Sequence, residues 1–211
     1  MTGTSTPGTG TGTSGTSTGR PRDPAVDRRI AAAAVELFGR AGWAGFSLEA
    51  VAREAGVGKA SIYLRWSAKE DLLTDALASR LVDVADADTG TLRGDLLRLA
   101  HQMLALYLGE SSRAAMRMTV EAPSIPGVAQ RWDAMRDAQV LAARAMVRRG
   151  IRRGEIPDDT SVTMLLDTLC GGVVMHVSSA PGHLRERLVA DLDDYAEGLV
   201  DFLLGAVHRP G

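Results

Sequence analysis

Side chains that donate hydrogen bonds to phosphates and to base edges are concentrated between residues 47 and 69. Both lysines of the protein, Lys59 and Lys69, lie there, and all other basic residues except the histidines are arginines. Ammonium, guanidinium and hydroxyl groups bind phosphate oxygens, and they contact base edges when a helix carries them into a groove. The candidate donors are Ser47, Lys59, Ser61, Tyr63, Arg65 and Lys69.

Two short predicted helices carry most of these donors. Ser47 is a suitable N-cap for a helix that buries Leu48, Val51 and Ala52 and stops at Gly56. A second helix is predicted over residues 59–65, after a turn that glycine makes possible. A helix of this length is short enough to enter the major groove, so the pattern indicates a helix-turn-helix.

The motifs around this turn resemble the TetR family of bacterial transcriptional regulators. The residues that carry the resemblance are Phe38, Gly42, Phe46-Ser47, Val51-Ala52, Ala55-Gly56-Val57, Ile62-Tyr63, Trp66, Lys69-Glu70 and Leu72. Arg65 departs from the pattern, since the family often has histidine there. The resemblance implies contacts with double-stranded DNA from Ser47, Lys59, Ala60, Ser61, Tyr63, Arg65 and Lys69. The alternative for the two lysines is that they are solvated charges at helix ends.

The pattern beyond residue 23 predicts an all-α fold of about nine helices, because no sustained period-two alternation occurs. Residues 1–22 are predicted to form a disordered tail rich in Thr, Gly and Ser. We expect a three-helix DNA-binding domain at 23–70 and a helical bundle for ligand binding and dimerisation at 71–211. The predicted helices of the second domain are 92–108, 111–120, 126–150, 160–179 and 184–206, and 73–86 is predicted to join the two domains as one helix.

Composition and charge exclude several classes of protein. The chain has 211 residues and one cysteine, Cys170, so an internal disulfide and a cysteine-based zinc site are excluded. Residues 20–70 carry a net charge of +3 and residues 71–211 one of −5, which favours an anionic partner for the first part only. No metal-binding or catalytic motif, cofactor site, signal peptide or membrane span is predicted, and the expected location is the cytoplasm.

A single short recognition helix covers few base pairs, so we expect a homodimer on a pseudo-palindromic operator. The resemblance places the dimer interface in residues 160–206, although their apolar stripes could instead fill the core of the monomer. It also implies that an apolar inducer releases a repressor from DNA. The candidate inducer contacts are Met103, Tyr107, Met118, Trp132, Met135, Cys170 and His176. Core packing is the alternative for each, and a ligand-independent factor that acts through a protein partner is the alternative function.

Overall fold

The computed structural model describes residues 23–80 and 88–208, so the predicted tail at 1–22 lies outside the described residues. The described parts contain ten α-helices, two short 3-10 helices and no strand. The α-helices are α1 Pro24–Gly45, α2 Leu48–Glu54, α3 Lys59–Tyr63, α4 Lys69–Arg80, α5 Leu92–Leu108, α6 Ser112–Glu121, α7 Ala129–Arg152, α8 Val162–Ser179, α9 Arg185–Ala190 and α10 Leu192–Val207. The all-α prediction is confirmed.

The residues at the start and at the break of helix α1 explain both features. The Asp23 side chain accepts a hydrogen bond from the backbone N–H of Ala25 at 2.9 Å, and Pro24 occupies the first turn. At Gly42 the backbone leaves the helical conformation, with φ +65° and ψ −173°. One further turn, residues 43–45, then leads to Phe46, which is buried beside Phe38.

The first hydrophobic core joins α1–α4 to α6. Ile30, Phe38, Ile62 and Leu72 are fully buried in it, and Met118 of α6 packs among the same residues. Apolar residues three and four apart on each helix create the buried face. The core therefore extends past residue 70, where the sequence places the domain boundary.

The second core lies between α5, α7, α8 and α10. Leu96, Leu104, Val147, Leu169 and Val200 are its buried centre. Helix α8 is long and apolar enough to cross a membrane by length and composition alone, a test that core helices of soluble proteins also pass.

The predicted helix 184–206 is wrong as a single element. It is divided into α9 and α10 at Asp191. The backbone N–H of Asp191 donates a hydrogen bond to the carbonyl of Arg187, and α9 ends there. Asp193 and Asp194 then lie in the first turn of α10, where acidic side chains are favoured by the helix dipole. The other predicted helices of this half begin and end within three residues of the observed ones. Residues 81–86 of the predicted connecting helix lie outside the described residues.

Candidate functional site

Local hydrogen bonds set the angle between α2 and α3. The Ser47 hydroxyl caps α2 by accepting from the N–H of Ala50 at 3.1 Å. At the other end, the N–H of Gly56 binds the carbonyl of Arg53, and the N–H of Val57 binds that of Ala52. These are the two bonds of a Schellman motif, and Gly56 supplies the required positive φ of +63°. The chain reverses within a few residues and starts α3 at Lys59.

Helix α3 has one buried face and one open face. Ile62 is fully buried in the first core, whereas Lys59, Ala60 and Tyr63 are exposed and Ser61 is half-buried. Four of the predicted DNA contacts therefore lie on this short helix, and three of them are open to a partner. The Leu64 side chain, which no sequence motif indicates as a contact, is also exposed.

Tyr63 also connects α3 to α2. Its hydroxyl donates a hydrogen bond to the carboxylate of Glu49. This bond lowers the pKa of Glu49 and raises the pKa of Tyr63, because it stabilises the carboxylate and the neutral phenol. The phenol ring remains about half exposed, so Tyr63 can hold the two helices together and still present its edge to a partner.

Arg65 and Lys69 are half-buried and held against α1 and the segment that follows it. The Arg65 guanidinium binds Asp27 of α1 at 2.7 Å and the carbonyl of Ser61 at 2.8 Å, and its side chain is 17% exposed. The Lys69 ammonium lies 3.8 Å from the centroid of a Trp43 ring and 3.2 Å from the carbonyl oxygen of Phe46. Both cations tie the recognition region to α1, and the structure does not bring them onto the open face of α3.

A salt-bridged pair on α6 contacts α1 at its break. Glu121 accepts a hydrogen bond from the backbone N–H of Trp43 at 2.9 Å, and Arg117 donates to the carbonyl of Gly39 at 3.2 Å. The two side chains bind each other at 2.6 Å. We call Arg117 and Glu121 the α6 clamp. The hydrogen bond from Trp43 is the main cause of a lowered pKa for Glu121.

A mostly apolar cavity of about 580 Å³ opens between α5, α7 and α8. Three predicted ligand contacts, Met103, Tyr107 and Cys170, line it. Burial raises the pKa of the Cys170 thiol to about 11, and it also raises the pKa of Tyr107. The polar side chains on its wall are Gln102, Arg136, Gln139, Arg144, Thr163 and Asp167.

The remaining predicted ligand contacts lie elsewhere. Trp132 and Met135 line a smaller cavity of about 160 Å³ that shares Tyr107 with the larger one. Met118 does not line either cavity, because α6 turns it into the first core. His176 is outside both as well, since it stacks on Tyr195 at a centroid distance of 3.6 Å, on the side of α8 that meets α10.

Helices α8 and α10 carry large apolar side chains that are exposed to solvent. Met164 and Met175 on α8 and Phe202 on α10 are each more than 60% exposed. Gly171 on α8 and Gly198 on α10 have nothing within 4 Å of the position that a Cβ atom would take. These two helices therefore combine large exposed apolar side chains with glycines that leave open space beside them, and another helix could pack against such features.

Comparison with known proteins identifies the family. Residues 30–76 match the model of "Bacterial regulatory proteins, tetR family", and residues 86–203 match "Tetracyclin repressor-like, C-terminal domain". The chain is 30% identical over 173 residues to the HTH-type transcriptional regulator AqdR of Rhodococcus erythropolis, and the match covers 82% of each chain.

Solved structures share the fold. The regulator FadR of Bacillus subtilis, in complex with stearoyl-CoA, aligns with a TM-score of 0.66 at 20% identity over 85% of this chain and 98% of its own. A regulator from Saccharomonospora viridis, in complex with choline, aligns with a TM-score of 0.60 at 21% identity over 81% and 97%. With a family model matching more than half of its length, the chain belongs to the TetR family of bacterial transcriptional regulators.

Proposed function

We propose that this DNA-binding regulator is a cytoplasmic, non-catalytic repressor that a small, largely apolar molecule releases from a pseudo-palindromic operator. The exposed face of α3 is the observation that carries the DNA contact. It holds Lys59, Ala60 and Tyr63 on a helix whose opposite side is anchored by Ile62. A helix fixed on one side by the core and exposed on the other can enter the major groove without any unfolding of the protein.

The positions of the predicted contacts divide them by role. Lys59, Ala60, Ser61 and Tyr63 face or border the open side of α3, and the N-terminus of α2 at Ser47 can offer backbone donors to a phosphate. Arg65 and Lys69 affect DNA binding indirectly, since their cationic groups bind α1. They set the position of α3 and α4 against α1, so their removal would weaken all operators alike.

The dimer forms through α8 and α10. Large exposed apolar side chains are costly in water, and Met164, Met175 and Phe202 on these two helices are all largely exposed. A second copy packed there by a two-fold axis would cover the same side chains in both protomers. The pair of α3 helices would then lie on successive turns of the duplex.

The inducer occupies the cavity between α5, α7 and α8. A volume of about 580 Å³ lies within the range of small-molecule sites, and most of the surface that the wall exposes is apolar. Arg136 and Arg144 stand on this wall, so an inducer with a polar or anionic end is favoured over a pure hydrocarbon. The cavity is also what favours ligand control over the ligand-independent alternative.

Selection of operators from random duplex DNA with the purified protein tests the DNA contact. Lys59→Ala should weaken binding to the selected operator and reduce the slope of log K against log salt by about 0.9 for each phosphate that the variant no longer neutralises. Arg152→Ala is the matched control, because it removes one exposed cation at the far end of α7. Equal behaviour of the two variants, or failure of the wild type to select any sequence, would refute the proposed interface.

A further inference from the structure

Leu64 is the most exposed large apolar side chain in the part of the chain that the structure describes. Its exposed fraction is 79%, against 0% for Ile62 two residues earlier. Scattered exposed leucines are common, but this one directly follows Tyr63, the last residue of α3. Its position at the end of the recognition helix sets it apart from them.

The backbone keeps Leu64 on the open side of α3. Its N–H binds the carbonyl of Ala60 at 3.0 Å, so the helical path continues through it. At about 100° per residue, Lys59, Tyr63, Ala60 and Leu64 follow one another around an arc of about 140°. All four are exposed, whereas Ile62 lies on the opposite side.

The arc has two chemically different edges. Lys59 and Tyr63, four residues apart, form a polar edge beside α2, where Tyr63 binds Glu49. Ala60 and Leu64, also four residues apart, form an apolar edge. In the major groove the only apolar group that a base pair presents is the 5-methyl group of thymine.

We propose that Leu64, supported by Ala60, determines operator specificity by packing against a thymine 5-methyl group. This inference rests on the proposed function, since it requires α3 to lie in the major groove. The cation of Lys59, at the other end of the same exposed arc, favours DNA over a second copy of the chain as the partner that covers Leu64, because the anionic backbone could contact Lys59 while the base edges contact Leu64.

Replacement of thymine by deoxyuridine, which removes only the methyl group, isolates this contact. In an operator selected by the wild type, each thymine of one half-site is replaced in turn and the Kd is measured. The wild type should lose affinity by about fourfold at the contacted position, the factor expected for one buried methyl-sized group. Leu64→Ala should bind the thymine operator more weakly and bind both operators equally.

Leu141→Ala is the matched control, because it makes the same truncation at a leucine that is 65% exposed on α7. It should keep the wild-type ratio between the two operators. If Leu64→Ala keeps that ratio at every position, Leu64 does not read thymine and the inference is overturned while the proposed function stands. A wild-type protein that selects no operator would overturn both.

Discussion

Replacement of Gly42 by alanine is expected to destabilise the fold by more than its backbone conformation alone explains. Its φ of +65° with ψ of −173° belongs to a region that is almost restricted to glycine, so a Cβ atom costs about 2 kcal/mol there. That atom would also lie 2.5 Å from Nη1 of Arg117 and 2.9 Å from Oε1 of Glu121. The α6 clamp would have to move, which would remove about 1.5 kcal/mol contributed by the hydrogen bond of Trp43 to the Glu121 carboxylate.

Gly56→Ala is the control for backbone strain. Gly56 also has a positive φ, +63°, but nothing lies within 4 Å of the position of its Cβ. It should therefore show only the conformational part, about 1 kcal/mol. Urea unfolding followed by far-UV circular dichroism, at one protein concentration because the chain is expected to dimerise, gives both free energies of unfolding. The decrease for Gly42→Ala should be about 3 to 4 kcal/mol. A decrease no larger than that of Gly56→Ala would refute the role of the clamp.

Three further predictions concern the dimer, the α6 clamp and Cys170. Phe202→Asp should convert the dimer to monomer in analytical ultracentrifugation, whereas Val120→Asp, at an equally exposed site on α6, should remain dimeric; dissociation of both would place the interface elsewhere. Glu121→Gln should make the melting temperature depend less on pH below about 5. The lowered pKa of Glu121 in the folded protein contributes stability that is present above the unfolded pKa and is lost as pH falls. Parallel curves of melting temperature against pH for the wild type and the variant would contradict the hydrogen bond from Trp43. Alkylation of Cys170 by iodoacetamide should accelerate only as pH nears 11, and half-maximal reactivity below pH 9 in the folded protein would contradict its burial.

The helix-turn-helix could be predicted from the sequence because local interactions build it. The Ser47 cap joins residues three apart, and the turn at Gly56 is closed by bonds that span no more than five residues. Signals of this kind are present in any short window of sequence. The same holds for Asp23 and Pro24 at the start of α1.

The roles of individual cations could not be predicted, because their partners are distant in the sequence. Arg65 binds Asp27, 38 residues earlier, and Lys69 binds the carbonyl of Phe46, 23 residues earlier. A donor in a recognition motif appears the same in the sequence whether it faces solvent or another helix. Leu64 was missed for another reason. An apolar residue in a helix is usually assigned to the core, and only the structure shows that Leu64 lies on the side of α3 opposite the buried Ile62.

The methionines that line the ligand cavity could not be distinguished in the sequence from those of the core. A thioether suits a cavity wall and a close-packed core equally well. Met103 lines the large cavity, whereas Met118 is 1% exposed in the first core. Only the direction in which α5 and α6 turn these side chains separates the two cases.

Helix α6 lies where it can connect the cavities to the DNA-binding helices. On one side Ala115 and Thr119 line the small cavity that shares Tyr107 with the large one. On the other side Arg117 and Glu121 hold the main chain of α1 at Gly39 and Trp43. An occupant that displaces Tyr107 would therefore act on a helix bonded directly to α1, where close packing leaves little room for independent movement.

The end of α1 connects α6 to the recognition region. The ring of Trp43 and the carbonyl of Phe46 bind Lys69 at the start of α4, and the next residue, Ser47, caps α2. A shift of the segment 43–46 would thus displace α2 and α4 together and turn α3 with them. Ligand control then requires only that the inducer bind the two arrangements of this segment with unequal affinity, since equal affinity would shift no population.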